Sequence, residues 1–291
     1  MNGASWFGIL AAAYAVLNLI RLLLALSERR RQQATIPSQQ TEQAVTVLQP
    51  ILGGDPALTD CLVANLRHAG GARYVWLLDN EDAAGQAAAS KAMAQAIAAG
   101  INANLYLDVA PAPPRGLNPK VVKLARGLLK VETPFVAVLD DDTALPHHAL
   151  DRAVGLAEPG TLVTGLPFYA ARSNNWSRLV TGFVNANAML TYLPAARLGL
   201  SRTVNGMFTL MRTDDLHRLG GFTAIEHEVT DDYALARLFR NGGGQVVQTD
   251  LPVTVITSVD GASHYFSLMR RWMVFARLYL MENFGSSRIS G

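Results

Sequence analysis

Three adjacent aspartates, Asp140, Asp141 and Asp142, end an apolar run that begins at Phe135. Carboxylates held this close repel one another unless a cation, water or a helix N-terminus compensates. Asp140 and Asp142 alternate along an extended chain, so their oxygens can converge on one Mg2+ or Mn2+ that also holds a diphosphate. Hard oxygen ligands without Cys or His favour those metals over zinc. The plainer reading is a solvated turn that caps a helix starting near Pro146. Asp79 ends a second apolar run, Tyr74 to Leu78, although strand-end aspartates often only close a turn. A third acidic site is Thr230-Asp231-Asp232-Tyr233. Thr230 can cap a following helix, and acids in a first turn are favoured by the macrodipole. That accounts for one of the two aspartates, Asp231 or Asp232, and leaves room for the other to be a general base that takes a proton from an acceptor hydroxyl. Farther on, Arg270, Arg271, Trp272 and Arg277 sit in the apolar stretch Tyr265 to Phe284. Arginine there can neutralise a departing diphosphate and tryptophan can stack on a sugar. The same stretch also reads as an amphipathic interfacial helix.

These residues need a scaffold that brings strand ends together. Val45 to Leu48, Tyr74 to Leu78, Leu105 to Leu107 and Phe135 to Leu139 read as strands. Between them, helices are predicted from Asp55-Pro56 to about His68, from Ala83 to Ala99 and from Lys120 to Lys130. Strands alternating with such helices predict a mostly parallel α/β sheet covered on both faces. Ligands in such sheets sit beyond the carboxyl ends of the strands, which is where Asp79 and Asp140–Asp142 fall.

Trp6 to Leu26 is apolar apart from Asn18 and Arg21, and as a helix it would be about 31 Å long, enough to cross a bilayer core. A secretory signal would carry its positive charge before the apolar run and a small-residue cleavage site after it. Here Arg29-Arg30-Arg31 follow the run and nothing basic precedes it. The positive-inside rule then places the remainder of the chain in the cytoplasm, with a bacterial inner membrane as the expected compartment. Half of the 291 residues are hydrophobic, and the lone Cys61 excludes an intramolecular disulfide. A net charge of +2 gives no reason to expect a nucleic-acid partner. Zinc-spaced Cys/His clusters, Gly-rich phosphate loops and G-x-S-x-G elbows are all lacking.

In their order along the chain these signals resemble the family 2 inverting glycosyltransferases, and within them the ceramide glucosyltransferase-like branch. The resemblance runs from about Val45 to Trp272. It is carried by Val47-Leu48-Gln49-Pro50-Ile51-Leu52-Gly53, Asp79 with Asp82, Asn118-Pro119-Lys120, Asp140 to Asp142, and Gly165-Leu166-Pro167-Phe168. It continues through Asn205-Gly206-Met207 to Leu210-Met211-Arg212, Gly220-Gly221-Phe222, Asp231-Asp232-Tyr233 and Arg271-Trp272. The resemblance implies a GT-A-type, Rossmann-like catalytic domain over 44–262. Before it come an anchor and basic stop over 1–31 and a linker over 32–43, and after it an interfacial helix and tail over 263–291. It implies that Asp79 binds the nucleotide base or ribose and that Asp140 and Asp142 hold a Mg2+ or Mn2+ diphosphate. Asp232 would be the catalytic base, with Lys120, Arg271 and Trp272 binding substrate. The implied partners are a UDP-sugar donor, a membrane and a lipid acceptor such as ceramide. A hopanoid, polyprenyl phosphate or polysaccharide acceptor would use the same chemistry. A decayed, non-catalytic fold would be expected to have lost the metal aspartates or the base, and all are present. A nucleotidyltransferase would leave Asp232 and Arg271-Trp272 without a role. Leu268 stands where the branch has Gln or Arg, so Arg270 would have to supply that contact. Members of the branch continue into further membrane helices past the position of Gly291, which implies a truncated chain or a simpler acceptor tunnel.

Overall fold

Eight strands form a single sheet in the order β3-β2-β1-β4-β7-β6-β8-β5 in the computed structural model, which describes residues 3–34, 44–170, 174–256 and 258–284. The strands are β1 (Val45–Pro50), β2 (Arg73–Asp79), β3 (Asn104–Ala110), β4 (Phe135–Leu139), β5 (Thr143–Ala144), β6 (Thr161–Tyr169), β7 (Phe208–Arg212) and β8 (Gln245–Val255). β1 pairs in parallel with both β2 and β4, β2 with β3, and β6 with β8. Only β7 and β5 run the other way, β7 between β4 and β6 and β5 along β8. The sheet is therefore mostly parallel, as the alternation of strands and helices predicts.

Side-chain alternation divides the core into two. Val45, Val47, Tyr74, Trp76, Ala137 and Leu139 pack under helices α2 (Leu58–Arg67), α3 (Ala83–Ala98) and α5 (Ala149–Val154). Leu48, Val75, Leu77, Val136 and Val138 face α4 (Pro119–Leu128), α7 (Thr213–Arg218) and α8 (Asp231–Asn241). Trp76 is fully buried and donates its indole N–H to Gln49 Oε1 at 2.9 Å, so its large apolar area is buried without an orphaned donor. Asp55 closes the turn before α2 by accepting from Ala57 N at 2.7 Å, so the helix begins at Leu58, later than the Asp55-Pro56 signal suggests.

Three long helices complete the chain: α1 (Gly3–Ala34), α6 (Asn175–Arg197) and α9 (Ala262–Phe284). Among the described residues one helix, Trp6–Gln33, is long and apolar enough to cross a membrane. The helix carries on past the basic stop to Ala34, and residues 35–43 of the expected linker lie outside the described residues. So does the tail beyond Phe284.

Candidate functional site

Strand order reverses at β1, with β2 on one side and β4 on the other, so the crevice at their carboxyl ends is where an open sheet of this kind binds ligands. Asp141 bridges that crevice by accepting from Leu52 N at 2.7 Å, and Gln49 Nε2 donates to the Asp140 carbonyl at 3.2 Å. Burial, with the charge of Asp142 adding to it, pushes the Asp141 carboxyl up to about 7. Burial and the charge of Asp140 likewise push Asp142 up to about 6. Asp82 is taken up by backbone contacts. Its two oxygens take Gly53 N at 2.8 Å and Gly85 N at 2.9 Å, capping α3 and fixing the loop after β1 to it. A Cβ on Gly53 would lie 2.3 Å from Gly85 N, so only glycine allows this approach.

Lys120 is the hub of the site. Its Nζ lies 2.6 Å from Asp140 Oδ1, 2.8 Å from Asp231 Oδ2 and 3.4 Å from the Gly206 carbonyl. Burial alone would lower the lysine, but the Asp140 and Asp231 carboxylates outweigh it and hold it well above its ordinary value. Two residues earlier Asn118 caps α4 through Lys120 N and Val121 N, while its Nδ2 donates to the Glu228 carbonyl at 2.9 Å. Asn118-Pro119-Lys120 thus clasps the strand-end carboxylates to the loop that leads into α8. Asp231 does more than favour a helix N-terminus. Thr230 occupies the N-cap position, yet its side chain makes no capping hydrogen bond, contrary to the sequence expectation.

At the end of β2, Asp79 Oδ2 is paired with the buried Lys123 Nζ at 2.9 Å, and Lys123 also donates to the Ile51 carbonyl. The other oxygen, Asp79 Oδ1, is buried without a hydrogen-bond partner. An acceptor left in that state costs roughly 1–3 kcal/mol, and a ligand N–H or O–H would relieve it.

On the other side of Lys120 is a cavity of about 420 Å3, walled by Phe183, Val184, Ala188 and Tyr192 of α6 and by Trp272 and Phe275 of α9. Asp232 and Gly206 lie on its lining. Trp272 meets Tyr169 edge-on at 6.1 Å and stacks with Phe183 at 6.4 Å. Burial, reinforced by the charge of Asp231, pushes Asp232 up to about 6. Tyr169 is raised by burial and by Asp142 and Asp140, with Arg271 drawing it down, so Arg271 acts electrostatically at the same end of β6. A Cβ on Gly206 would stand 3.1 Å from Asp232 Cβ and 3.3 Å from its Oδ2. Gly206→Ala should therefore push the carboxylate by a few tenths of an ångström. If the Asp232 carboxylate takes part in a reaction, a loss of about tenfold in turnover is expected, since misplacements of 1 Å cost about 10²-fold. Donor affinity should stay unchanged; equal losses in both would show that Gly206 supports the donor side instead.

The structure gathers Lys120, Asp140 and Asp231 directly, and Asp232 with Trp272 along the cavity. Asp79 is set apart at the end of β2 with Lys123. Tyr169, Tyr192, Phe183 and Lys123 were not found from sequence. Tyr169 ends a strand, so the strand-end rule reaches it once β6 is recognised. Lys123 is one helical turn after Lys120, the spacing that puts both on one face of α4.

The model of glycosyl transferase family 21 matches residues 9–285. Among solved structures the chain is similar to a mannosyltransferase of Pyrobaculum calidifontis in complex with GDP-Man and Mn2+. The identity is 19% and the TM-score 0.55, over 89% of this chain and 75% of that one. It is also similar to glucosyl-3-phosphoglycerate synthase of Mycobacterium tuberculosis in complex with Mn2+, UDP and phosphoglyceric acid. There the identity is 19% and the TM-score 0.44, over 82% of this chain and 80% of that one. At 19% identity the likeness to the mannosyltransferase is one of fold. No curated protein matches the sequence.

Proposed function

The chain belongs to glycosyl transferase family 21, and from that membership we propose that it moves a sugar, glucose foremost, from a UDP-sugar to a hydroxyl of a membrane lipid such as ceramide. The observation that carries this reading is the position of Asp232, on the wall of a largely apolar cavity and one residue from the ion pair that leads to the strand-end acids. An apolar chamber suits a lipid acceptor better than a polysaccharide. The orphaned Asp79 Oδ1 supports a nucleotide, whose base or ribose offers the missing donor. The fold neighbour from Pyrobaculum, solved with GDP-Man and Mn2+, supports a nucleotide-sugar donor and a divalent metal.

The donor set fits Mg2+ or Mn2+. Asp140 and Asp142 are both held above the ordinary carboxylate range, by burial and by neighbouring carboxylate charge, a strain that a cation would relieve. Mg2+ usually takes one or two carboxylates from the protein and completes its shell with phosphate and water. The lack of a three-residue cage among the described residues is therefore no obstacle. When bound, the ion would neutralise charge on the diphosphate as it departs. Asp232 takes the proton of the acceptor hydroxyl as that oxygen bonds to the anomeric carbon and the sugar–diphosphate bond breaks. Single displacement inverts the anomeric centre. Arg271 offers positive charge beside Tyr169, and Trp272 walls the acceptor side. Residues 44–262 form the catalytic domain in this reading, facing the cytoplasm, with 1–31 as the anchor.

The test is transfer of labelled sugar from a panel of UDP- and GDP-sugars to a total lipid extract by membranes carrying the protein. Labelled lipid from a UDP-sugar is expected; label appearing only in polysaccharide, or none from any donor, would overturn the proposal. Chelation with EDTA should abolish transfer, and Mn2+ or Mg2+ should restore it. Asp142→Asn should weaken donor binding and turnover together, because it removes charge from the ion's shell. Transfer that persists in excess chelator would remove the metal from the mechanism.

A further inference from the structure

From Asn18 onward the buried and half-buried positions of α1 recur at Asn18, Arg21, Leu24, Ala25, Glu28 and Gln32, a stripe at helical spacing that faces the catalytic domain. It is docked by specific contacts. Arg21 Nε donates to the Leu190 carbonyl at 2.7 Å and its Nη2 to Thr191 Oγ1 at 3.1 Å, both on α6. Ser27 Oγ accepts from Arg197 Nε at 3.1 Å at the far end of α6. Gln32, buried, donates to the Gln248 carbonyl at 2.9 Å and accepts from Asp250 N at 2.7 Å on β8.

These contacts conflict with a domain that hangs below the bilayer. A hydrocarbon core is about 30 Å thick, and Trp6 to Leu26 as a helix just spans it at about 31 Å. The part of α1 free of the domain, Trp6 to Leu17, covers only about 18 Å. The remaining stretch, Asn18 to Leu26 at about 13 Å, is the stretch against which α6 packs. We propose that α6 is immersed in the bilayer, with phospholipid acyl chains as the partner of its outer face. This rests on the reading of α1 as a membrane span. Arg21 meets Leu190 and Ser27 meets Arg197, so the two helices run in the same sense and the amino-terminal half of α6 points into the bilayer. That half carries Leu179 and Phe183, 51% and 47% exposed, beside the exposed Phe266 and Met273 of α9. Phe183 and Trp272 both line the cavity that holds Asp232. The chamber is therefore entered from within the bilayer, and an acceptor lipid need not leave the membrane to present its hydroxyl.

The experiment places an environment-sensitive fluorophore on single introduced cysteines of the full chain, with Cys61 buried and unlabelled. The positions are Leu10→Cys on α1, Leu179→Cys on α6 and Leu129→Cys, 81% exposed at the carboxyl end of α4. The protein is reconstituted in phosphatidylcholine–phosphatidylglycerol vesicles with or without bromine on the acyl chains. The expected result is that the labels at 10 and 179 both lose most of their emission to the brominated chains, while the label at 129 loses none. Quenching at 10 without quenching at 179 would overturn the immersion of α6 while leaving the span intact. Loss of quenching at both would overturn the span and the inference with it. A label at 179 that is blue-shifted but unquenched would point to a second protein copy on that face, and would likewise overturn the proposal.

Discussion

Replacing Asp232 by Asn is expected to lower turnover by about 10²–10⁴-fold, the usual contribution of a general base, while leaving donor Kd near wild type. The amide keeps the size and hydrogen-bonding reach of the carboxylate, including the acceptor oxygen that takes Tyr233 N at 2.6 Å, and loses only basicity. Because the wild-type carboxyl is raised to about 6, first by burial and then by Asp231, kcat/KM should fall as pH drops through that value. The stability sign runs the other way. A carboxyl whose folded pKa is raised favours the folded state below its unfolded pKa, and that advantage is lost as pH rises through about 6. Asp232→Asn should thus melt no lower than wild type at pH 7 to 8, so lost activity cannot be put down to unfolding. Turnover, donor Kd and melting temperature measured together decide it. Near-wild-type turnover in Asp232→Asn would give the base to another group.

The strand ends were legible because each joins an apolar run to an acid: Leu78 to Asp79 and Leu139 to Asp140. A single sequence shows such a change of character at once. The sense of each acid was less legible, since it depends on partners distant in the chain. Asp231 reads as a helix-terminus acid until Lys120, from a helix more than a hundred residues earlier, is seen between it and Asp140. Helix α6 was hidden for another reason. Its apolar residues are broken by Asn185, Asn187 and Gly182, and Pro194 lies inside its last turns, so no clean amphipathic period stands out. What orders it is tertiary contact with α1 and β6. The lower end of α1 was misleading in the same way. Glu28 and Gln32 look like solvated residues around a basic stop, yet both are buried, satisfied by Arg31, Gln248 and Asp250.

Removing the hub should have the second large effect. Lys120→Met leaves Asp140 and Asp231 facing one another without the ammonium that both contact, and the charge of Asp231 already raises Asp140. Breaking a fully buried ion pair by deleting one partner costs about 3–5 kcal/mol. Lys120 and Asp231 are each about a quarter exposed in their side chains and Asp140 slightly more, so water offsets part of this and about 2–3 kcal/mol is the better expectation. Asp231→Asn alone should cost less, because Lys120 keeps Asp140. Adding Asp231→Asn to Lys120→Met should then recover stability, since it removes one of the two stranded charges, and a double-mutant cycle would show that coupling. Mn2+ should also raise the melting temperature of Lys120→Met more than that of wild type, because a cation beside Asp140 replaces the missing charge. Turnover should not follow stability. Lys120 also holds the Gly206 carbonyl, and the Gly206 backbone abuts Asp232, so the proposed base would lose its alignment even when the charges are rebalanced. A loss of about 10²-fold is expected to persist in the double variant. Additive melting shifts, with wild-type turnover in Lys120→Met, would show that the clasp between the strand-end acids and the base has no part in the reaction.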